Sequence, residues 1–291
     1  DRFFGIRSLM QACNCTGFSG KRVILKANYN SADPFPASTH RDTLRALVEE
    51  IRSLGVDTVV LLERSGMGNT RQVLEERGVF ALADELGFDV IVLDELTGEE
   101  WNYIPAPGLH WPRGFYLPAA ITAGSPVVQT CCLKTHRFGG HFTLSLKNSV
   151  GLVARRVPGA GHDYMHDLHR SPEQRTMIAE INGFFPVDLV ILDAVEGFVR
   201  GGPEQGERIT PHLLLASCDR VAIDAAGVAI LRHFGTTPEV STGRIFSLDQ
   251  IARAAQLGIG VSRPEEISIT AVDEQSNIWS EKIQGIIDHE G

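Results

Sequence analysis

Short apolar runs alternate along the chain with stretches in which apolar residues recur every three or four positions. The runs Arg22–Lys26, Thr58–Leu62, Asp89–Leu93, Pro126–Leu133, Asp188–Leu192 and His212–Ala216 each read as a buried strand. Leu44, Leu47, Val48, Ile51 and Leu54 mark an amphipathic helix, with Ser38 or Thr39 as its N-cap and Gly55 as its stop. Residues 70–86 read as a helix broken near Gly78 and ended by Gly87. Further helices are expected over Pro172–Phe185, 221–234 and 247–257, an edge strand over 266–272, and a last helix in the tail. Residues 1–20 show no clear period and end in the loop composition Gly17-Phe18-Ser19-Gly20. Strand and helix alternating at this spacing predict an α/β fold, with largely parallel strands, right-handed crossovers and helices on both faces.

Between 95 and 118 the pattern weakens, and Pro105, Pro107, Pro112, Pro118, Trp101 and Trp111 accumulate. A long connection or a small antiparallel excursion is expected there, and with it a boundary. The expected organisation is an N-terminal extension (1–21), a first α/β lobe (22–118) and a second (119–291), with a cleft at the strands' carboxyl ends.

Each predicted strand empties into polar residues: Lys26/Asn28, Glu63/Ser65, Lys134/His136, Asp193/Glu196 and Ser217/Asp219. In a parallel sheet such exits lie on one edge, where ligands bind. The densest exit runs from Cys131 to Gly151 and holds Lys134, His136, His141, Lys147 and Asn148 behind one apolar run. Lys26, Lys134 and Lys147 would make that edge locally cationic, which suits a carboxylate or phosphate on a small ligand. The competing reading is a structural ion network with Glu63, Asp193 and Glu196. A lysine beside other cations can also lose its proton and act as base or nucleophile. Nothing in the sequence selects Lys134 or Lys147 for that.

Composition narrows the function classes. The chain has 291 residues, 43% of them hydrophobic, and carries 27 Lys and Arg against 36 Asp and Glu, for a net charge of −9. An acidic chain without blocks of like charge argues against nucleic acid or an anionic membrane as the main partner. No apolar run approaches the length of a membrane span, and the N-terminus does not read as a signal peptide. A cytoplasmic location is the expectation, with a removed leader left open because no Met begins the chain. Five cysteines in irregular spacing read as reduced, mostly buried thiols rather than a disulfide framework or a zinc ribbon.

Histidine raises a divalent metal. His162, His166 and His169 sit at i, i+4 and i+7, and His136, Asp193 and Glu196 can extend a mixed nitrogen and oxygen shell. Gly201-Gly202-Pro203 and Gly206 read either as a loop approaching a ligand with its backbone or as a plain turn. Neither the nucleotide P-loop nor the dinucleotide fingerprint is present, and Gly-x-Ser-x-Gly is absent.

Lys26-Ala27-Asn28, Glu63-Arg64-Ser65, Leu133-Lys134-Thr135-His136, Leu146-Lys147-Asn148 and Gly151 together resemble the pattern of domain-of-unknown-function family 362. Asp193-Ala194, Gly202-Pro203-x-x-Gly206 and Ser217-x-Asp219-x-x-x-x-Asp224 continue it, so the resemblance spans about residues 22 to 260. Ala27 stands where the family usually has proline. Many relatives carry an appended ferredoxin-like segment; this chain lacks its closely spaced cysteines, so a resident iron–sulfur cluster of that type is not implied, and a separate ferredoxin-like partner is left open. The family is also similar in architecture to the lactate racemase group, which binds a hydroxy acid between two α/β lobes with a nickel cofactor.

The expected function is an enzyme for a small anionic molecule, doing proton transfer or isomerisation, with metal assistance left open. Lys134, His136, Lys147 and Asp193 are the expected catalytic groups. Lys26, Asn28, Glu63, Ser65, Asn148, Gly202 and Asp219 are expected to bind substrate, and His136, His166, His169 and Glu196 to ligate a metal. The alternative is a non-catalytic metal-handling protein or an iron–sulfur-associated redox accessory.

Overall fold

The computed structural model describes residues 1–15, 17–157, 159 and 161–291. Helix α1 (Arg2–Ala12) precedes strand β1 (Arg22–Lys26); α2 (Arg41–Ser53) leads to β2 (Thr58–Glu63). The pair α3 (Thr70–Glu76) and α4 (Val79–Leu86) leads to β3 (Asp89–Val92). A hairpin of β4 (Trp101–Ile104) and β5 (Phe115–Pro118) and the short α5 (Ala119–Thr122) occupy the weakly patterned segment. Then β6 (Val127–His136) turns into β7 (His141–Thr143) and the single helical turn α6 (Ser145–Asn148). Helices α7 (Tyr164–Arg170) and α8 (Gln174–Ile181) lead to β8 (Leu189–Gly201), which turns into β9 (Gly206–Ile209). Strand β10 (Leu213–Ser217) and helices α9 (Arg220–His233), α10 (Pro238–Ser241), α11 (Asp249–Gln256) and α12 (Asn277–Glu290) complete the chain.

One eight-stranded mixed sheet organises these elements, in the order β10-β8-β6-β1-β2-β3, with β7 added to β6 and β9 to β8. The five strands β8, β6, β1, β2 and β3 are parallel, as the alternation of strand and helix predicts. The sheet does not divide at residue 118. Leu25 of β1 pairs with Leu61 on one side and with Val128 of β6 on the other, so both expected lobes share one sheet. The proline-rich segment is an excursion from that sheet rather than a break in it.

The expected N-terminal extension is also part of the domain. Asp1 caps α1, whose Ile6 and Met10 are buried in the core that α2 shares. On α2 the periodic residues Leu44, Leu47, Val48 and Ile51 are all buried against the sheet. Each such side chain contributes roughly 1.5–3 kcal/mol of burial. His40, not Ser38 or Thr39, caps this helix, its Nδ1 accepting from Asp42 N at 3.1 Å. The two hydroxyls serve the preceding loop instead: Ser38 donates to Ser31 O and Thr39 Oγ1 accepts from Asn28 N.

A second departure concerns 266–272, which forms no strand. Ile267 and Ile269 do face the core, which explains the strand-like alternation. Their backbone is satisfied by a side chain, since Gln284 of α12 accepts from Ile269 N and donates to Ile267 O. An amide on a helix stands in for the neighbouring strand. No helix among the described residues is long and apolar enough to cross a membrane.

Candidate functional site

At the carboxyl edge of β1, β2 and β6 lies a cavity of about 620 Å³, bounded on its far side by α6 and the turn after it. Strand β6 supplies its floor. All ten of its residues are buried, and Lys134 and His136 emerge at its end. Lys26 and Asn28 arrive from β1, Glu63 and Arg64 from β2, and Lys147 and Asn148 from α6.

These groups form a connected set. Lys26 Nζ donates to Glu63 Oε1 at 2.6 Å and to Ala27 O, and reaches Asn148 Oδ1 at 3.4 Å. Glu63 also accepts from Tyr29 N and Arg64 N, at 3.1 and 3.0 Å. Burial pushes the Lys26 amine down and the Glu63 carboxyl up, and their mutual attraction offsets part of both. Lys134 Nζ donates to Asn28 Oδ1 at 2.8 Å and to Ala37 O. Asn28 Nδ2 in turn donates to Asn148 Oδ1 at 3.3 Å, so the two asparagines bridge the two lysines. Burial lowers Lys134 as well.

Lys147 is different. Its amine has no hydrogen-bond or ion-pair partner among the described residues, and burial with Lys134 and Arg64 nearby lowers it to about 7. His136 is pushed well below the ordinary histidine range by burial and then by Lys147 and Lys134, and its buried Nδ1 also lacks a partner. Two glycines permit this crowding. A methyl group at Gly140 would stand 2.4 Å from Lys147 Cε and 3.0 Å from His136 Nδ1, so those two groups are neighbours. A methyl group at Gly151 would stand 2.8 Å from Lys26 Cε and 3.1 Å from Glu63 Oε1.

The turn that presents Lys147 and Asn148 has only four residues, too few to be stable alone. A buried polar network holds it. Asp224 of α9 accepts from Ser145 N at 2.8 Å and Leu146 N at 3.2 Å. Ser145 donates to Gln129 Oε1, Gln129 Nε2 to Ser149 Oγ, and Ser149 to Asn182 Oδ1, which Arg220 also contacts at 2.9 Å. Burial raises the Asp224 carboxyl to about 8.

Arg64 was not singled out from the sequence, where it reads only as the residue between two others of interest. Buried beside the cavity, it donates to Val150 O, Val153 O and Ser65 O, and so ties the turn after α6 to β2. No carboxylate pairs with it among the described residues, and burial lowers it. Gly140 was legible only as half of a Gly-Gly pair, and Gly151 only as part of the family pattern, with no role attached to either.

The remaining expected site residues go elsewhere. Ser65 donates to Tyr29 O and accepts nothing from the cavity side; it braces two strand exits. Gly202 belongs to the β8–β9 hairpin turn and lies against Thr135 O, 1.9 Å from where a methyl would stand; Pro203 beside it lines the cavity. Asp193 binds Arg2 at 2.8 Å and Thr43, joining β8 to α1 and α2. Strand β8 does not end there. A register shift opposite Cys132/Leu133 absorbs the next residues and the strand runs on to Gly201. Glu196 pairs with Arg208 of β9 at 3.2 Å. Because β10 is antiparallel to β8, Asp219 leaves at the opposite edge and caps α9, accepting from Val221 N and Ala222 N.

The expected metal shell is not assembled. His162 precedes α7 and bonds Asp167 at 2.7 Å, His166 is exposed, and only His169 reaches the cavity lining with His136. Among the described residues no group of three or more His, Cys, Asp or Glu side chains is placed to hold a metal ion. The donor set therefore does not fit a divalent ion held by His136, His166, His169 and Glu196, the shell that the histidine pattern suggested. The cysteines are free thiols, with Cys131 and Cys132 buried in β6.

Fold and site define an α/β protein whose parallel strands deliver cations into a buried cleft at their carboxyl edge. The family model described as "Domain of unknown function (DUF362)" matches residues 23–229, and the chain belongs to that family. The match contains every residue of the cavity set described above. No curated protein matches the chain.

Proposed function

We propose that the cavity is the active site of an enzyme that binds a small organic anion, a carboxylate or phosphate, and moves a proton at the adjoining carbon. One observation carries this reading. Five cationic side chains, Lys26, Arg64, Lys134, Lys147 and Arg155, line the cavity, and Glu63 is the one carboxylate among its described lining residues. Arg155 is exposed, but holding the other four cations in a largely buried site with one carboxylate is costly, and a bound carboxylate or phosphate supplies the missing partner. Arg155 is partly matched by Asp163 at 3.3 Å, which leaves Lys134, Lys147 and Arg64 as the uncompensated set.

In this reading Lys134 holds the anionic group, and the Asn28–Asn148 pair orients both the lysine and the ligand. Lys26 with Glu63 forms the cavity's rigid back wall. His136 is kept neutral by its surroundings, so its free nitrogen can take a proton from carbon. The Lys147 amine, lowered to about 7, can give or receive one at neutral pH. The direction of overall proton flow depends on the substrate.

The test is solvent deuterium incorporation beside the carboxylate of small 2-hydroxy and 2-oxo acids, followed by NMR, alongside thermal-shift titration with the same acids and with phosphate. Wild-type protein is expected to bind and to exchange. Lys134→Ala should lose binding, and His136→Ala should retain binding and lose exchange. If both variants bind and exchange like wild type, the reading is wrong.

A further inference from the structure

The chain contains 22 arginines and five lysines, Lys21, Lys26, Lys134, Lys147 and Lys282. Arginine and histidine supply the cation in nearly every ion pair; Lys26–Glu63 is the single lysine pair among the described residues. Yet three of the five lysines line one cavity. Arginine stays charged at all relevant pH values, whereas lysine can shed its proton and expose a nucleophilic lone pair. A fold that otherwise uses arginine has placed amines where that difference matters.

The three amines are not equivalent. Lys26 is matched by Glu63 and Ala27 O, and Lys134 by Asn28 Oδ1 and Ala37 O, so both are surrounded by acceptors that favour the ammonium form. Lys147 has no acceptor among the described residues, and the charges that act on it are those of the cations Lys134 and Arg64. Its stem crosses Gly140, where no side chain covers it, and it lines the cavity together with His136, whose Nδ1 is free and lies by the same glycine. The short turn that carries it is clamped by Asp224 and the Gln129–Ser145–Ser149–Asn182 network, so the amine is presented on a rigid support.

We propose that Lys147 is a covalent nucleophile that captures a small carbonyl compound of the 2-oxo acid class as an imine. This rests on the anion-binding reading above, with Lys134 taking the substrate's carboxylate. The neutral amine nitrogen attacks the carbonyl carbon, a C–N bond forms, and the C=O π electrons move to oxygen as it is protonated. The carbinolamine then loses that oxygen as water and leaves a protonated C=N bond. His136 Nδ1 can next accept a proton from the carbon beside the imine, with the C–H electrons forming a C=C bond and the C=N π electrons returning to nitrogen. Hydrolysis reverses the sequence and frees the lysine, so no oxidant or reductant is consumed. The lowered proton affinity of Lys147 supports the step: with a value of about 7 it is half unprotonated at neutrality. An ordinary lysine is neutral in only about one molecule in 10³ at that pH.

The experiment incubates intact protein at pH 7 with pyruvate, glyoxylate or 2-oxoglutarate, adds sodium borohydride, and maps adducts by peptide mass spectrometry. Pyruvate would leave carboxyethyl-lysine. The exposed Lys21 and Lys282 serve as internal controls. Adduct at Lys147 is expected at least about tenfold above either control, given its larger neutral fraction. In Lys147→Arg the adduct should vanish while pyruvate still raises the melting temperature. Adduct confined to Lys21 and Lys282, or none with any of the three acids, overturns the proposal. If lactate and pyruvate then still stabilise the protein, the anion site survives and only the covalent step falls. If neither stabilises it, both readings fall together.

Discussion

Strands β1, β2 and β6 run the same way, and Lys26, Glu63 and Lys134 at their carboxyl ends share one cavity. Strand β8 instead keeps Asp193 and Glu196 inside a longer strand that runs on to Gly201, and β10 runs the other way and delivers Asp219 to the opposite edge. On the first side, buried charge is left partly unmatched: Lys147 has no partner and Arg64 holds only carbonyls and a sulfur. On the second, each carboxylate has a partner, Asp193 in Arg2 and Thr43, Glu196 in Arg208, and Asp219 in backbone N–H groups. Polar residues after a strand thus divide into two kinds. Those on the second side tie elements of the fold together, and those on the first line the cavity that the proposed function fills with an anion.

The sharpest way to break this division is to remove one group from each side. Lys134→Ala should weaken binding of a small carboxylate by about 100-fold, the effect of losing a charge-assisted contact in a dry site. Asp193→Asn should leave that affinity within about twofold, a surface-type effect, because no ligand contact is lost. Isothermal titration of both variants decides the matter, and an equal loss in the two would dissolve the distinction. On stability the ranking should reverse. Asp193→Ala strips partners from Arg2 and Thr43 and should cost about 3 kcal/mol in denaturant unfolding, as for a broken buried pair. A cost under about 1 kcal/mol would show that the α1–β8 tie is ornamental.

Much of the fold was legible because burial on both faces of a parallel strand writes an unbroken apolar run, and α2 writes its buried face at every third or fourth residue. Strand direction is not written that way. The run before Ser217 looks like the run before Lys134, and only the pairing of β10 with β8 sets its sense. The Lys-Thr-His and Leu-Lys-Asn groups, which line the cavity through Lys134, His136, Lys147 and Asn148, were legible as candidate site residues because charged side chains directly after a fully apolar run must be matched or used. Arg64, Gly140 and Gly151 were hidden for a different reason. Their roles lie in what stands opposite them, Val150 O, Lys147 and Lys26, and tertiary neighbours leave no local signature. The histidines at 162, 166 and 169 were misleading in the opposite sense, since their helical spacing begins before the helix does.

A pH series sharpens the comparison between Lys147 and its saturated neighbours. The folded value of about 7 lies below the ordinary lysine value, so between the two the unfolded chain binds more protons than the native one. The penalty is absent above the ordinary value, grows as pH falls, and is complete below about 7. Relative to Lys147→Met, wild type should therefore gain melting temperature as pH rises from neutrality. Anion affinity should move the other way. The ammonium form attracts the ligand, so binding should weaken about tenfold as pH rises through that range, by loss of one charge-assisted contact. In Lys147→Met both slopes should flatten. Parallel slopes in the two proteins would mean that another group sets them.

The smallest effect is expected at the far edge of the sheet. Asp219 accepts from Val221 N and Ala222 N at 2.7 and 2.8 Å through one oxygen, and from Val261 N at 2.7 Å through the other. It therefore caps α9 and pins the 258–262 segment, with Gly260 pressed against its carboxylate. Asp219→Ala should cost about 1–2 kcal/mol, the range for a lost N-cap with one further backbone partner. Asp219→Asn should recover most of that, since the amide oxygen can still accept from the helix. Neither change should alter borohydride trapping or anion affinity, because α9 would still place Asp224 under the turn that carries Lys147. A marked loss of trapping in Asp219→Asn with unchanged melting would show the contrary, that the cap at one edge sets the position of the amine at the other.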